Sequence, residues 1–327
     1  MKMTWKKGLC LTLAAVMASM AFTGCGAGGK EAKDTYTVGI CQLVQHPALD
    51  EATRGFQEAL TEKLGDKVTF DLQNASGEGT NCTTIVSKFV SDKVDLIMAN
   101  ATDALAAASQ ATETIPVVAT SITDYATALG ITDWTGTTGF NVTGTSDLAP
   151  LEEQAQMIKE LVPDAQNVGI LYCSAEKNSK YQSTVIQESL NKLGLNPKEY
   201  TFVDTNDVSA VTQQAVADCD VIFVPTDNTA ASNAEAINNI TEPAGIPVFA
   251  GEEGICKGCG LVTLSISYYD IGYKAGEMAY EILVNGADPA TMEIEYAKDL
   301  TKKYMPERAE AIGLTIPEDY EAIIVTE

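Results

Sequence analysis

The chain has one histidine and two arginines among its 327 residues, and these shortages exclude several kinds of site. A zinc or manganese site needs several nitrogen or thiolate ligands, so we expect no metal. A Ser-His-Asp enzyme would have to use His46, and no Gly-x-Ser-x-Gly turn accompanies it. Arg54 and Arg308 both fall within or beside predicted helices, so a phosphorylated ligand would find no arginine fork.

Basic residues of either kind are also scarce. Lysine and arginine total 21 against 45 aspartates and glutamates, which gives a formal net charge of -24. Such acidity argues strongly against nucleic acid as a partner and against adsorption of the protein body onto an anionic membrane. Any attachment to a membrane must therefore come from another feature of the chain.

The longest apolar run, Gly8–Phe22, is too short for a comfortable transmembrane helix but fits a secretory signal, and three lysines precede it. It ends in Thr-Gly-Cys, which is similar to a bacterial lipobox. We therefore predict a lipoprotein signal peptide over 1–24, lipidation at Cys25 and a glycine-rich flexible tether over 25–35. An ordinary signal peptide cut elsewhere is the alternative. No strand precedes the Gly-Ala-Gly-Gly of the tether, so it is not a nucleotide loop, and we expect no cofactor.

What the chain does contain is a repeated unit. Asp95–Ala107 and Asp220–Ala231 each consist of an aspartate, an apolar run of strand length, a Thr-Asp pair and an alanine-rich helical stretch. Each copy is followed by an Ile-Pro-Val strand, Ile115–Ala119 and Ile246–Ala250. The pattern predicts two similar α/β lobes with parallel sheets and a cleft between them.

The predicted lobes exchange segments. Gly139–Pro150 breaks the strand-helix rhythm and is interpreted as the first crossing, and a helix from Ser267 to about Leu283 is expected to return the chain to the first lobe. The first lobe is predicted to comprise 36–143 plus about 268–298, and the second 144–267 plus about 299–327.

Ligands of open parallel sheets bind beyond the carboxyl ends of the strands, so the residues there are the candidates. They are hydroxyls, amides and carboxylates, which favours a zwitterion over an anion. Its carboxylate would be held by helix N-termini and hydroxyls near Ser174–Ser179 and Thr226, and its ammonium by Asp124, Asp227 or Glu252. The candidate set is Gln42, His46, Asn74, Ala101, Thr102, Thr120, Ser121, Asp124, Ser174, Asn178, Ser179, Thr226, Asp227, Asn228, Glu252 and Tyr268.

Structural alternatives stay open for several of these residues. The aspartate of each Thr-Asp pair could act only as a helix cap. His46 could contact a ligand or only fix its loop, and Tyr268 could wall the cleft or pack under the hinge. Cys256 and Cys259 have the spacing of a redox or zinc half-site, but buried free thiols are the preferred interpretation and a local disulfide is the alternative.

Several runs taken together resemble one known family: VGICQLVQHPALDEATRGF, QNASGEGT, NVTGTSDLAP, VGILYCSAEKNS, VPTDNTAAS, IPVFAGEE, SISYYDIGYKAGEMAYEIL and GLTIPED. The chain resembles the solute-binding lipoproteins of bacterial ABC importers, in the family that includes tryptophan- and tyrosine-binding proteins. The resemblance implies a type I periplasmic-binding fold with two Rossmann-like lobes and a three-crossing hinge. It also implies an amino-acid ligand, often aromatic, an ABC permease with its ATPase as partners, and no enzymatic activity.

We accordingly expect a monomer outside the cytoplasm that closes its lobes on a ligand. A lipoprotein that senses the same ligand for a membrane receptor is the first alternative. An exported enzyme on the same scaffold is the second, and the single histidine disfavours it.

Overall fold

The protein, described here over residues 33–324 of a computed structural model, consists of two α/β lobes, each built on a mostly parallel sheet. The predicted fold class is confirmed. The predicted signal peptide, Cys25 and all but the last three residues of the tether lie outside the described residues.

The first lobe is formed mainly by the first half of the chain. Its elements are β1 (Tyr36–Gln42), α1 (Pro47–Leu64), β2 (Val68–Asn74), α2 (Gly79–Asp92), β3 (Leu96–Asn100), α3 (Thr102–Ala111), β4 (Val117–Ile122), α4 (Tyr125–Leu129) and β5 (Val142–Ser146). The chain later returns to it with α11 (Tyr268–Val284) and β11 (Glu295–Tyr296). The strands lie in the order β11-β5-β4-β3-β1-β2, and all of their pairings are parallel.

The second lobe repeats this plan. Its elements are α5 (Leu151–Leu161), β6 (Asn167–Cys173), α6 (Lys177–Lys192), β7 (Asn196–Phe202), α7 (Val208–Asp218), β8 (Val221–Val224), α8 (Asn228–Ser232), α9 (Ala234–Ala244), β9 (Val248–Ala250), α10 (Glu253–Gly258), β10 (Val262–Ser265), β12 (Thr301–Tyr304), α12 (Pro306–Ala311) and β13 (Glu321–Ala322). The strand order is β13-β12-β10-β9-β8-β6-β7, with β12 antiparallel to β10.

The repeated sequence unit forms corresponding elements in the two lobes. The first copy is β3 followed by α3, and the second is β8 followed by α8. The Ile-Pro-Val segments lead into β4 and β9, which are the next strands of their sheets. Every residue of β3 and β8 is buried, as expected for central strands covered by helices on both faces. The strand-loop-helix prediction is confirmed in both copies.

Two sequence boundaries are corrected by the structure. The predicted lobe limit at 143/144 falls inside β5, which pairs with β4 in the first sheet. Its Thr-Gly-Thr pattern resembles a crossing in composition, but the Thr145 hydroxyl is buried and donates to Thr120 Oγ1 at 2.9 Å, with the Ile271 carbonyl oxygen also within 3.1 Å of it. The passage between lobes therefore begins at Asp147. Likewise, the sequence predicts a loop over Cys173–Ser179 and a helix from Thr184, but α6 begins at Lys177, so Asn178 and Ser179 lie in its first turn and not in a loop.

Helix α11 returns to the first lobe, as predicted, and packs closely along α1. A side chain at Gly272 would place its Cβ 2.0 Å from the Ala52 carbonyl oxygen, and one at Gly55 would lie 2.2 Å from the Tyr269 carbonyl oxygen. Only glycine allows two helix backbones to approach this closely. The contact joins α11, which we call the hinge helix, rigidly to the first lobe. The Tyr269 hydroxyl of this helix also donates to Glu58 at 2.6 Å.

This packing predicts that Gly272→Ala destabilises the protein although alanine is the better helix former. The new methyl group overlaps backbone that cannot rotate away, so we expect a loss of about 2 kcal/mol or more in the free energy of unfolding, measured by urea denaturation. Gly79→Ala is the matched control, because its Cβ would come no closer than 3.3 Å to a side-chain oxygen of Asp103. Equal stability of the two variants would contradict the predicted helix contact.

Candidate ligand-binding site

A cavity lies between the two lobes, where the carboxyl ends of both sheets face each other. The residues that line it come from both lobes and from the hinge: His46, Leu49, Ser121, Thr123, Asp147, Asn178, Thr226, Asp227, Asn228, Ala231, Glu252, Ile255 and Tyr268. The lobes touch across it. His46 Nε2 lies 3.2 Å from Asn228 Oδ1, and the Thr123 and Thr226 hydroxyl oxygens are 3.4 Å apart. The cleft is therefore closed in this structure.

Half of the sequence-predicted residues line this cavity. They are His46, Ser121, Asn178, Thr226, Asp227, Asn228, Glu252 and Tyr268.

Three other candidates are buried nearby but occupied by internal bonds. Gln42 donates from Nε2 to Asp50 Oδ1 at 2.7 Å and accepts from the Thr53 hydroxyl at 2.7 Å. Thr120 accepts from Thr145 behind the cavity wall, and Ser179 donates to Asp227 Oδ2 at 2.6 Å. Their polar groups organise the loops and do not face the cavity.

The remaining candidates lie off the cavity. Asn74 and Ser174 are exposed, and each bonds to its own neighbourhood, Asn74 Oδ1 with the Ser76 N–H and Ser174 Oγ with the Phe202 carbonyl. Asp124 caps α4 by accepting from the Thr127 N–H at 2.7 Å. Ala101 and Thr102 are buried at the start of α3, where Ala101 has the unusual φ of 88°.

Asp227 shows how a predicted ligand contact becomes a structural anchor. Its carboxylate accepts three bonds, from the Ala230 and Cys173 N–H groups at 2.7 Å each and from the Ser179 hydroxyl at 2.6 Å. It thus caps α8 and joins it to β6 and α6. Burial, and then the nearby charge of Glu176, raise the pKa of Asp227, whereas the three donors favour its charged form. The helix-capping alternative describes this residue better than ligand contact does.

Asp147, which the sequence analysis did not single out, is the first residue of the passage between lobes and reaches the cavity from the hinge. It is 5% exposed, and it accepts from the Thr123 hydroxyl at 3.1 Å and from the Tyr268 hydroxyl at 2.8 Å. Among the residues of the described chain that line the cavity there is no lysine or arginine to balance its charge. Burial accordingly raises the pKa of Asp147, against the effect of its two donors.

Glu252 is a second buried carboxyl group on the same cavity, at 3% exposure. It caps α10 by accepting from the Gly254 and Ile255 N–H groups. Burial raises its pKa to about 7 in spite of these bonds, and the nearby charges of Glu253 and Asp147 add to the effect. Asp147 and Glu252 thus both line the cavity, and neither has a lysine or arginine partner among the described lining residues.

Two further polar atoms facing this cavity have no partner within the described protein. They are Ser121 Oγ and His46 Nδ1, each on a residue that is 6% exposed. Asn228 donates from Nδ2 to Glu176 Oε2 at 2.7 Å, so its Oδ1 accepts from His46 Nε2–H. Burial lowers the pKa of His46, and the neutral ring then has a free lone pair on Nδ1. Ser121 has a φ of 58°, a backbone strain of the kind found at functional sites.

A sequence signal for Asp147 existed but was weak. It is a carboxylate directly after a buried strand and before Pro150, in a segment already interpreted as a crossing. Thr123 follows β4 in the same way. Composition and spacing do not show at which edge of the sheet this strand ends. They also do not show that Asp147 bonds to Tyr268, which lies 121 residues away in the sequence.

Residues 33–324 contain neither a membrane-spanning helix nor a cluster of metal ligands. No helix there is long and apolar enough to cross a membrane, and no group of three or more metal-ligating side chains is close enough to hold an ion. Cys41, Cys82, Cys173, Cys219, Cys256 and Cys259 are buried and free.

The two lobes and the polar cavity that they enclose define a two-domain protein that binds a small ligand. The chain belongs to the ABC transporter substrate binding protein family, whose model matches residues 37–323. This agrees with the resemblance drawn from the sequence motifs.

Similar proteins are known by sequence and by structure. The chain is 35% identical over 291 residues to a tyrosine-binding protein of Clostridioides difficile (strain R20291), covering 85% of this chain and 84% of that one. It is 31% identical to an ABC domain in complex with L-Trp from Streptococcus pneumonia, with a TM-score of 0.83 over 87% of this chain and 96% of that one. A ligand-free, open substrate binding protein with adhesive properties from Clostridium difficile is 34% identical, with a TM-score of 0.68 over 89% and 100%.

The two structural similarities differ in a way that fits the lobe contacts. The chain superposes better on the tryptophan complex than on the open, ligand-free structure, at nearly equal sequence identity. The present lobe arrangement corresponds to a closed state, in agreement with the contacts between His46 and Asn228.

The three bonds of Asp227 predict that Asp227→Ala lowers the free energy of unfolding by about 2–4 kcal/mol. The substitution leaves three buried donors without their acceptor, and it also removes the N-terminal cap of α8. The control is Asp124→Ala, which removes a cap with one bond and should cost about 1 kcal/mol. Urea denaturation of both variants measures the difference. A loss at Asp227 no larger than that at Asp124 would refute the anchoring role.

Proposed function

We propose that this protein captures an aromatic amino acid outside the cytoplasm by closing its two lobes, and that it delivers the ligand to an ABC permease for import. The observation that carries the proposal is the cavity between the lobes, which is lined by three buried carboxyl groups, Asp147, Asp227 and Glu252, and by no lysine or arginine among its described residues. Asp227 is already held by three donors, so Asp147 and Glu252 are the candidates for ligand contact. Anchoring of the protein through lipidated Cys25 is part of the proposal.

The amino group of the ligand would bind at the carboxyl groups. A buried carboxylate without a counter-charge is costly, and an ammonium ion supplies both the charge and three N–H donors. Asp147 is positioned for this role by Thr123 of the first lobe and by Tyr268 of the hinge helix. Formation of the ion pair would favour the state in which the hinge is closed.

The volume free inside the closed cavity is only about 10 Å³, so its walls would have to move apart to admit an aromatic side chain, which would then lie against the apolar part of the wall. Leu49 comes from the first lobe and Ala231 and Ile255 from the second, and the ring of Tyr268 adds an aromatic face at the hinge. An aromatic ring buries a large apolar area against such residues, and ring stacking adds to it. The bound tryptophan of one relative and the name of the tyrosine-binding relative support this choice of ligand.

Closure would occur around the three passages between the lobes, since each lobe supplies part of the cavity wall. His46, Thr123, Thr226 and Asn228 meet only when the lobes are together. A ligand that bridges the lobes stabilises this state relative to the open one, and the closed surface is what a permease would recognise.

Isothermal titration calorimetry with the standard amino acids tests the ligand assignment. We expect tyrosine, tryptophan or phenylalanine to bind with a dissociation constant near 1 µM, about 8 kcal/mol. Asp147→Asn should weaken that binding at least tenfold, because the ammonium loses its charged partner.

Asp124→Asn is the matched control for this titration, since the same change is made at a carboxylate that caps α4 and does not line the cavity. It should bind like the parent protein. Absence of binding by every aromatic amino acid would refute the ligand assignment.

Binding should also depend on pH. The pKa of Glu252 is raised to about 7 and that of Asp147 is raised as well, so acid protonates the groups that pair with the ammonium. For one linked proton with a pKa near 7, the dissociation constant should rise about tenfold from pH 8 to pH 6. Calorimetry in two buffers of different ionisation enthalpy should show proton release on binding near pH 7. An affinity that is constant over this range would contradict the role of the two carboxyl groups.

A further inference from the structure

The cavity wall offers a ligand mainly hydrogen-bond acceptors and few free donors. Asp147 and Glu252 line the cavity without a cationic partner among the described lining residues, and the Nδ1 atom of His46 is an acceptor that has no donor partner there. Most donors of the wall are already used: the Thr123 and Tyr268 hydroxyls both donate to Asp147. Two residues of the described cavity lining have an unpartnered buried polar atom, His46 and Ser121, and of these two atoms only the Ser121 hydroxyl can donate.

The amide donors of the second lobe are used in the same way. Asn178 Nδ2 donates to the Thr226 carbonyl at 2.9 Å and to Glu176 Oε2 at 3.1 Å, and Asn228 Nδ2 donates to Glu176 Oε2 at 2.7 Å. These bonds hold the starts of α6 and α8 together. A ligand carboxylate would have to compete with them for donors.

Cations that could attract a ligand carboxylate are held elsewhere. Arg54 pairs with Glu51 and Glu58 on the outside of α1. The guanidinium of Arg308 donates to backbone carbonyls at the end of α10, including those of Cys256 and Gly260. No lysine or arginine is among the described residues that line the cavity.

One opening next to the cavity, which shares Asn228 with it, has the same sign of charge, whereas the opening that shares Glu252 and Tyr268 also contains Lys257 and Lys303, both paired with Glu253. The wall of the first opening contains Glu78, Asp103, Glu176 and Asp204, again without lysine or arginine among the described lining residues. Burial, and then the charge of Glu176, raise the pKa of Asp103. A negative entrance concentrates cations and repels anions, and the net charge of the whole chain acts in the same direction.

We infer that the amino group is the dominant charged determinant of recognition and that the cleft also binds aromatic amines that lack the carboxylate. This inference rests on the proposed function, because it concerns the same cavity and the same ring. The two unpartnered buried atoms, His46 Nδ1 and Ser121 Oγ, are the independent sign that a ligand completes this site. The amine offers three donors to the acceptors and requires no cation from the protein.

Calorimetry of the full chain with four related compounds tests the inference: L-tyrosine, tyramine, 4-hydroxyphenyllactate and N-acetyl-L-tyrosine, or the corresponding tryptophan series. Tyramine should bind within about tenfold of the amino acid, because the charged contacts to Asp147 and Glu252 are retained. The hydroxy acid and the N-acetyl compound, which lack the ammonium, should bind at least about 100-fold more weakly.

Two variants test whether the amine binds at the Asp147 carboxylate. Asp147→Asn should reduce tyramine affinity at least tenfold while Asp124→Asn leaves it unchanged. Should Asp147→Asn fail to fold, as judged by circular dichroism, Glu252→Gln serves the same purpose, since its carboxyl group faces the same cavity.

The outcomes separate the inference from the proposed function. If the aromatic amino acids bind but tyramine or tryptamine binds no more tightly than the hydroxy acid, this inference is overturned and the proposed function stands. If no aromatic amino acid and no amine binds, both are overturned. A preference of tenfold or more for the amine over the hydroxy acid supports the inference.

Discussion

Buried carboxyl groups without a cationic partner are the constraint on which the organisation of the cleft depends. Asp147 lies where the chain first leaves the first lobe, and Glu252 caps a helix of the second lobe. Desolvation makes each charged form costly and raises the pKa of both groups, and a cationic ligand would favour the charged forms. In the proposed function, closure and recognition would therefore be coupled, because the ammonium of the ligand would supply the positive charge that the cavity wall lacks.

The surrounding structure holds these groups in place. Tyr268, at the start of α11, donates to Asp147, and α11 packs on α1 at glycine contacts that leave no room for a side chain. The hydroxyl of Thr123 adds a bond from the end of β4. A carboxylate at a hinge is thereby bound to the rigid body of the first lobe. On the opposite side, Asp227 and Glu176 fix the starts of α6 and α8 through bonds that leave little freedom. The second lobe thus presents a preformed wall.

Much of the architecture was predictable because burial leaves a periodic trace in the sequence. The repeated strand-loop-helix unit, the return of the 268–284 helix and the position of the cleft follow from apolar runs and helix caps. β5 was missed because every residue after Val142 is a threonine, glycine or serine, a composition that resembles a loop although all of them are buried. The exact start of α6 was missed because Lys177–Asn178–Ser179 is polar on all sides although Asn178 and Ser179 are buried.

The site was predictable only in outline. Residues at strand ends could be named, and half of them line the cavity. Sequence could not separate a polar group that faces a ligand from one that bonds within the protein, since Asp227 and Glu252 both follow strands and both cap helices. It also could not find the bond between Asp147 and Tyr268, which arises only when two hinge passages come together. These distinctions depend on the direction in which a side chain points, and that direction cannot be inferred from the amino-acid composition.

A crystal structure of the protein with its bound ligand tests the central claim most directly. The account predicts the amino nitrogen of the ligand within about 3.2 Å of the Asp147 carboxylate, with Tyr268 and Thr123 still bonded to that residue. A ligand whose carboxylate faces Asp147, or whose amino group lies away from both hinge carboxyl groups, would contradict it.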